Sequence, residues 1–174
     1  MGDRIYANIA IHGHIATVDG LEEILNALNT MDLKCSEDRG RTAHLRGFAA
    51  ALANESSPLF EDDEVNYGDL STVTEVLQEL GIGYERYYDA TQGEEPGNSV
   101  WYPGDEKETH SGARDISGWG MEKLLEEPDL EAAVRAKVAE LKHAAGADLP
   151  KFTVSDEVQD YLVVEIGRAT VLAA

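Results

Sequence analysis

His12 and His14 stand two positions apart in the run RIYANIAIHGHI, and side chains two apart on a β-strand point the same way. Two imidazoles on one side of a strand supply part of a Zn²⁺ site, which takes three or four ligands. His44, His110, Cys35 and many carboxylates are available to complete it, and no spacing selects among them. The simpler reading is two polar residues at the exposed end of a half-buried strand, with no metal and no other cofactor. A small metal-dependent enzyme around His12 and His14 is the alternative. Nucleophilic catalysis finds little support: there is no G-x-S-x-G and no phosphate-cradling glycine loop. His110 and Ser111 are neighbours, but adjacency in sequence does not build a catalytic dyad.

A second group of residues is aromatic. Tyr84, Tyr87, Tyr88, Trp101 and Tyr102 fall on two short runs flanking TQGEEPGN, which reads as a hairpin. Aromatic side chains on a sheet can stack bases, but in positive surroundings. Here the neighbours are Glu85, Asp89, Glu94, Glu95, Asp105 and Glu106, with only Arg86 opposed, so phosphate is repelled. The rings are core, or they form a patch that binds protein. Tyr84, Tyr88 and Trp101 are the candidate contacts, and a structural or assembly protein pairing through them is a further alternative. Alternation places Tyr84 and Tyr88 on one face and Tyr87 on the other, with Trp101 at least partly buried.

The third group is the largest. Residues 61–130 carry 19 acidic and four basic side chains, so most of the net charge of −20 lies in that segment. Acidity that served solubility or high salt would be spread more evenly. A block of this kind steers basic partners in and repels nucleic acid and anionic membrane surfaces. Rows of carboxylates can also stand in for phosphates against a protein that binds DNA or RNA. The candidate partner-binding residues are Glu61, Asp62, Asp63, Glu64, Glu94, Glu95, Asp105, Glu106 and Glu108. A merely solvated face is the competing reading.

These residues need elements to hold them. Ile5, Ala7, Ile9, Ile11 and Ile15 alternate with polar neighbours, which predicts a strand over 4–15. Asp19 and Glu22 have capping-box spacing before a helix with the stripe Leu21, Ile24, Leu25, Leu28. A short helix over 43–53 follows a polar loop. Residues 54–69, with the run Glu61–Glu64, read as a loop that holds a short strand near Val65 to Tyr67. Asp69 caps a helix over 70–80 that Gly81 ends. Residues 103–118 show no apolar period and read as a loop. A short helix over 121–127 stops at Pro128. Asp129 then caps a helix over 130–145 with Leu130, Val134, Val138 and Leu141 inward. The tail reads either as a helix capped by Ser155 or as a short buried strand.

The element order predicts an α+β fold: a small antiparallel or mixed sheet with a ferredoxin-like core, helices on one face and a helical C-terminal extension. The expected division is an α+β core with acidic loops over 1–118 and a mainly helical extension over 119–174 packed on it. The single Cys35 allows no intrachain disulfide, and no run has the length of a signal peptide core or a membrane span. A soluble, cytoplasmic protein is expected.

The stretch NYGDLSTVTEVLQELGIGYERYYDATQGEEPGNSVWYPG, residues 66–104, resembles small uncharacterised acidic accessory proteins of phages and plasmids. Its helix ends before Gly-Ile, an aromatic–acidic strand follows, and a second strand closes in Pro-Gly. Some such proteins are anti-CRISPR or anti-restriction proteins. The resemblance implies a non-enzymatic inhibitor of host defence and brings no catalytic residues. Together with the charge block, it leads to the expectation of an acidic binding protein that blocks a basic, nucleic-acid-binding surface on a host protein, with no direct contact to nucleic acid.

Overall fold

The computed structural model describes residues 4–90, 96–112 and 127–172. Its organising element is strand β1 (Arg4–Ile11), in which Ile5, Ala7, Ile9 and Ile11 are buried while Tyr6, Asn8 and Ala10 face the other way. β1 pairs antiparallel with β5 (Leu59–Asn66) on one side and with β6 (Tyr84–Tyr88) on the other. β5 and β6 therefore run parallel to each other with β1 between them. Parallel strands need a crossover, and helix α3 (Ser71–Glu79) supplies it. This is the split β-α-β unit of ferredoxin-like folds. β7 (Gly97–Trp101) and β8 (Thr109–Gly112) extend the sheet beyond β6, and the two-residue strands β3 (Lys34–Cys35) and β4 (Asp38–Arg39) extend it beyond β5. The order is β4-β3-β5-β1-β6-β7-β8. A separate parallel pair joins β2 (His14–Ile15) to β9 (Thr153–Val154).

Helices α1 (Val18–Thr30), α2 (Arg41–Ala53), α3 and α5 (Asp156–Leu172) cover one face of the sheet. The α1 stripe Leu21, Ile24, Leu25 and Leu28 is fully buried against it. Val158 and Leu162 bring α5 into the same core, and Phe152 packs on Phe48 with ring centroids 5.8 Å apart. The tail is thus helical; the Ser155 Oγ accepts from the Val158 amide at 3.3 Å. Asp69 Oδ1 accepts from the Ser71 amide at the start of α3.

Several expectations need correction. The run Glu61–Glu64 is not a loop but the middle of β5. Phe60, Asp62 and Val65 turn inward there, and pairing with β1 outweighs the poor strand preference of acids. Within the loop expected over 103–118, Thr109–Gly112 form β8 on the edge of β7. The cap of α1 is Thr17, whose Oγ1 accepts from the Gly20 amide at 3.1 Å; Glu22 instead binds Arg41 of α2, which holds its carboxyl below the usual range. Helix α4 (Leu130–Ala144) is capped by Asp129, whose Oδ1 accepts from the Ala132 amide. Its stripe does not face inward: Leu130, Val134 and Val138 are 40–46% exposed. α4 docks by its C-terminal end instead, where Ala144 is buried and the Tyr102 ring stacks on His143 at 4.0 Å. The helix expected over 121–127 lies almost wholly outside the described residues.

Candidate functional site

The face of β5, β1 and β6 turned away from helices α1, α2, α3 and α5 carries the aromatic and acidic groups together. Pairing of Asn8 with Glu61 on one side and with Tyr87 on the other puts those three in one row. Tyr6 lies one step along, on the same side of β1. The register between β1 and β5 shifts between Ile5 and Ala7, a bulge that sets Asp63 and Glu64 together opposite Tyr6. On the other flank the Asp89 amide donates to the Tyr6 carbonyl at 3.0 Å. Tyr6 therefore sits amid Glu61, Asp63, Glu64 and Asp89.

Both rings on this face end on a carboxylate. The Tyr6 hydroxyl donates to Glu61 Oε2 at 2.6 Å and receives the Asn8 amide at 3.0 Å. The Tyr87 hydroxyl donates to Asp89 Oδ1 at 2.9 Å. Burial, then Glu61, raises the Tyr6 pKa; the bond to Asp89 raises that of Tyr87. Both phenols stay protonated donors at neutral pH. The ring centroids are 6.3 Å apart and tilted by 52°.

Opposing cations are few. Lys34 Nζ pairs with Asp63 at 2.8 Å, and Arg4 Nη1 donates to the Glu64 carbonyl at 2.8 Å. Glu61, Glu64 and Asp89 make no ion pair among the described residues. Asp62 belongs to a different environment. It points to the helix side, is 8% exposed, and is held by the Arg39 guanidinium through contacts of 2.9 and 3.2 Å.

The other nominated acids divide in the same way. Glu108 is enclosed by the Tyr84 hydroxyl, which donates at 2.6 Å, and by Arg86 at 2.7 Å, so it is structural. Asp105 accepts the Trp101 indole N–H through its carbonyl and sits 3.8 Å from His143, while Glu106 is exposed. Glu94 and Glu95 lie outside the described residues. Of the nominated rings, Tyr84 is fully buried and Trp101 is 6% exposed; they stack at 5.9 Å and are core, not contacts. Tyr88 shares their face and closes on Gly97, where a Cβ would lie 2.5 Å from its hydroxyl oxygen. Sequence reasoning missed Tyr6. Its alternation with Ile5 and Ala7 placed it on the polar side of β1, but only the pairing with β5 brings it to the acids.

His12 and His14 do not share one strand side. Gly13, at φ +97°, breaks β1 between them in a conformation only glycine adopts easily. His12 Nδ1 meets Ser57 Oγ at 3.0 Å; its Nε2 is buried with no hydrogen-bond partner among the described residues, and burial holds the imidazole pKa below its ordinary value. His14, on the separate β2–β9 pair, meets Thr153 Oγ1 at 3.0 Å. Among the described residues no three His, Cys, Asp or Glu side chains group to hold a metal. Cys35 is half-buried against Gly47, and burial pushes its thiol pKa up. Ser99 Oγ and His110 Nδ1 meet at 2.6 Å across β7 and β8, but Ser99 is fully buried and offers no nucleophile to a substrate. No helix among the described residues is long and apolar enough to cross a membrane.

Comparison with protein-family models, with curated proteins and with solved structures gives no match.

Proposed function

We propose that this protein is a non-enzymatic acidic binder whose open sheet face occupies a basic, nucleic-acid-binding surface on a host protein. It would act as an inhibitor of host defence, as some of the small acidic accessory proteins of phages and plasmids do, the group that residues 66–104 resemble. The supporting observation is the clustering of Glu61, Asp63, Glu64 and Asp89 around Tyr6 and Tyr87 on a sheet face that helices α1, α2, α3 and α5 leave free. Carboxylates on a strand are fixed by the backbone, so they meet a partner without the ordering cost that acids on a flexible loop would carry. Aromatic rings among them supply contact area of the kind that dominates protein interfaces.

The test is capture from a host lysate on the immobilised protein, with Glu61→Lys, Asp63→Lys, Glu64→Lys as the comparison. Nucleic-acid-binding proteins should be retained by the natural chain, lost from the triple variant and displaced by added nucleic acid. Equal retention by the two would contradict the reading.

A further inference from the structure

The Tyr6–Tyr87 face carries more than negative charge. Carboxylates alone do not distinguish one cation from another. Two rings, each ending on its own carboxylate, do: Tyr6 with Glu61 and Tyr87 with Asp89. A lysine ammonium is a compact, strongly hydrated charge. A guanidinium is planar, weakly hydrated, stacks on aromatic faces and bonds carboxylates through two parallel N–H groups. A ring with a carboxylate fixed at its hydroxyl edge offers both features to one guanidinium. The two ring-and-carboxylate units lie side by side, with centroids 6.3 Å apart. On a helix the Cβ atoms of residues three or four apart are about 5–6 Å apart on one face, so two arginines at that period leave the helix together and can reach two neighbouring units, whereas residues two apart point to different sides.

We propose that the Tyr6–Tyr87 face docks a partner helix carrying two arginines three or four residues apart, one guanidinium on each ring-and-carboxylate unit. This rests on the proposed function and names the chemistry of its partner surface. Charge complementarity sets the sign of the occupant, the rings with their carboxylates set its residue type, and their side-by-side placement sets its period.

The experiment uses helical alanine-based peptides with arginine at i and i+4, the same peptide with lysine at both positions, and one with arginines at i and i+2. Each is titrated calorimetrically into the full chain at moderate salt. The i, i+4 arginine peptide should bind about tenfold tighter than its lysine analogue, as two stacked guanidiniums would give, and tighter than the i, i+2 peptide. In Tyr6→Leu/Tyr87→Leu that preference should collapse to under about twofold, while salt-dependent binding of all three peptides persists. Tyr6→Phe/Tyr87→Phe keeps the ring faces and should keep most of the preference, which separates loss of stacking from loss of folding. Circular dichroism melts of both double variants check that the fold is intact. Equal binding of the arginine and lysine peptides by the natural chain, or an arginine preference that survives the leucine variant, would overturn the proposal. Either result leaves the capture experiment on the charge-reversed strand unaffected, so the two readings fail separately.

Discussion

Trp101 offers the sharpest test of which aromatics are core. It is 6% exposed, stacked on the fully buried Tyr84 with 17° between the rings, and its indole N–H donates to the Asp105 carbonyl at 3.1 Å. Truncating a buried tryptophan to alanine costs about 3–5 kcal/mol through lost burial and the cavity left behind. Its stack with Tyr84 contributes about 1 kcal/mol of interaction beyond area. The Asp105 carbonyl is on a surface loop, where water replaces the indole, so that bond contributes less than about 1 kcal/mol. Trp101→Ala should therefore destabilise by about 4 kcal/mol, which lowers Tm by about 8–16 °C in a chain of this size. Urea unfolding followed by far-ultraviolet circular dichroism measures the first, and a thermal melt the second. Trp101→Phe keeps a ring against Tyr84 and should lose about half as much. Partner capture by the folded fraction should be unchanged in both. A loss below about 1.5 kcal/mol in Trp101→Ala, or lost capture with retained stability, would move this ring from core to interface and refute the packing argument.

Other outcomes follow from single contacts. His44 is fully buried, with Nε2 2.7 Å from the Leu33 carbonyl, and burial holds its pKa below the ordinary 6.5. The unfolded chain then takes up a proton first. The contribution is complete above the unfolded pKa and is lost as pH falls below it toward the folded value. His44→Gln should flatten that loss of stability as pH falls below the ordinary 6.5, and identical pH slopes of unfolding free energy would contradict it. A Cβ at Gly47 would lie 2.3 Å from Cys35 Sγ. Gly47→Ala should cost about 1–3 kcal/mol by overpacking, and adding Cys35→Ala should restore part of it in a double-mutant cycle; no recovery would place the strain elsewhere. Because burial raises the Cys35 pKa, alkylation of the native chain at neutral pH should be slower than that of the urea-unfolded chain.

The parts of the fold that could be read from the sequence are those with strong local periods. Ile5 to Ile11 alternate as a strand must, and Leu21, Ile24, Leu25 and Leu28 recur as one helix face must. The hairpin of β6 and β7 also announced its faces: Tyr84 pairs with Trp101, Arg86 with Ser99 and Tyr87 with Asn98, so Tyr87 turns away from Tyr84 and Tyr88. What could not be read depends on partners far along the chain. Glu61 to Glu64 look like a loop by propensity; Phe60 and Val65 anchor them as a strand, and Arg39 from another edge takes up Asp62. His12 and His14 share a period-two pattern that Gly13 cancels, because one left-handed glycine turns the strand out of the sheet. The stripe of α4 had the right period, but what it packs on is decided by tertiary docking at Ala144, Tyr102 and His143. Tyr6 lacked any local signal of its role, since the acids that surround it come from β5 and from the end of β6.

Under the proposed function, the acidic face competes with nucleic acid for one surface of a partner. The measurement that bears on it most directly is the binding of a captured partner to a labelled duplex or single strand while this protein is titrated in, repeated across salt. Binding should be mutually exclusive, with an association rate that falls as the screening length shrinks from about 10 Å at 0.1 M to about 3 Å at 1 M salt. A stable ternary complex of partner, nucleic acid and this protein, with no loss of affinity and no dependence on salt, would contradict it.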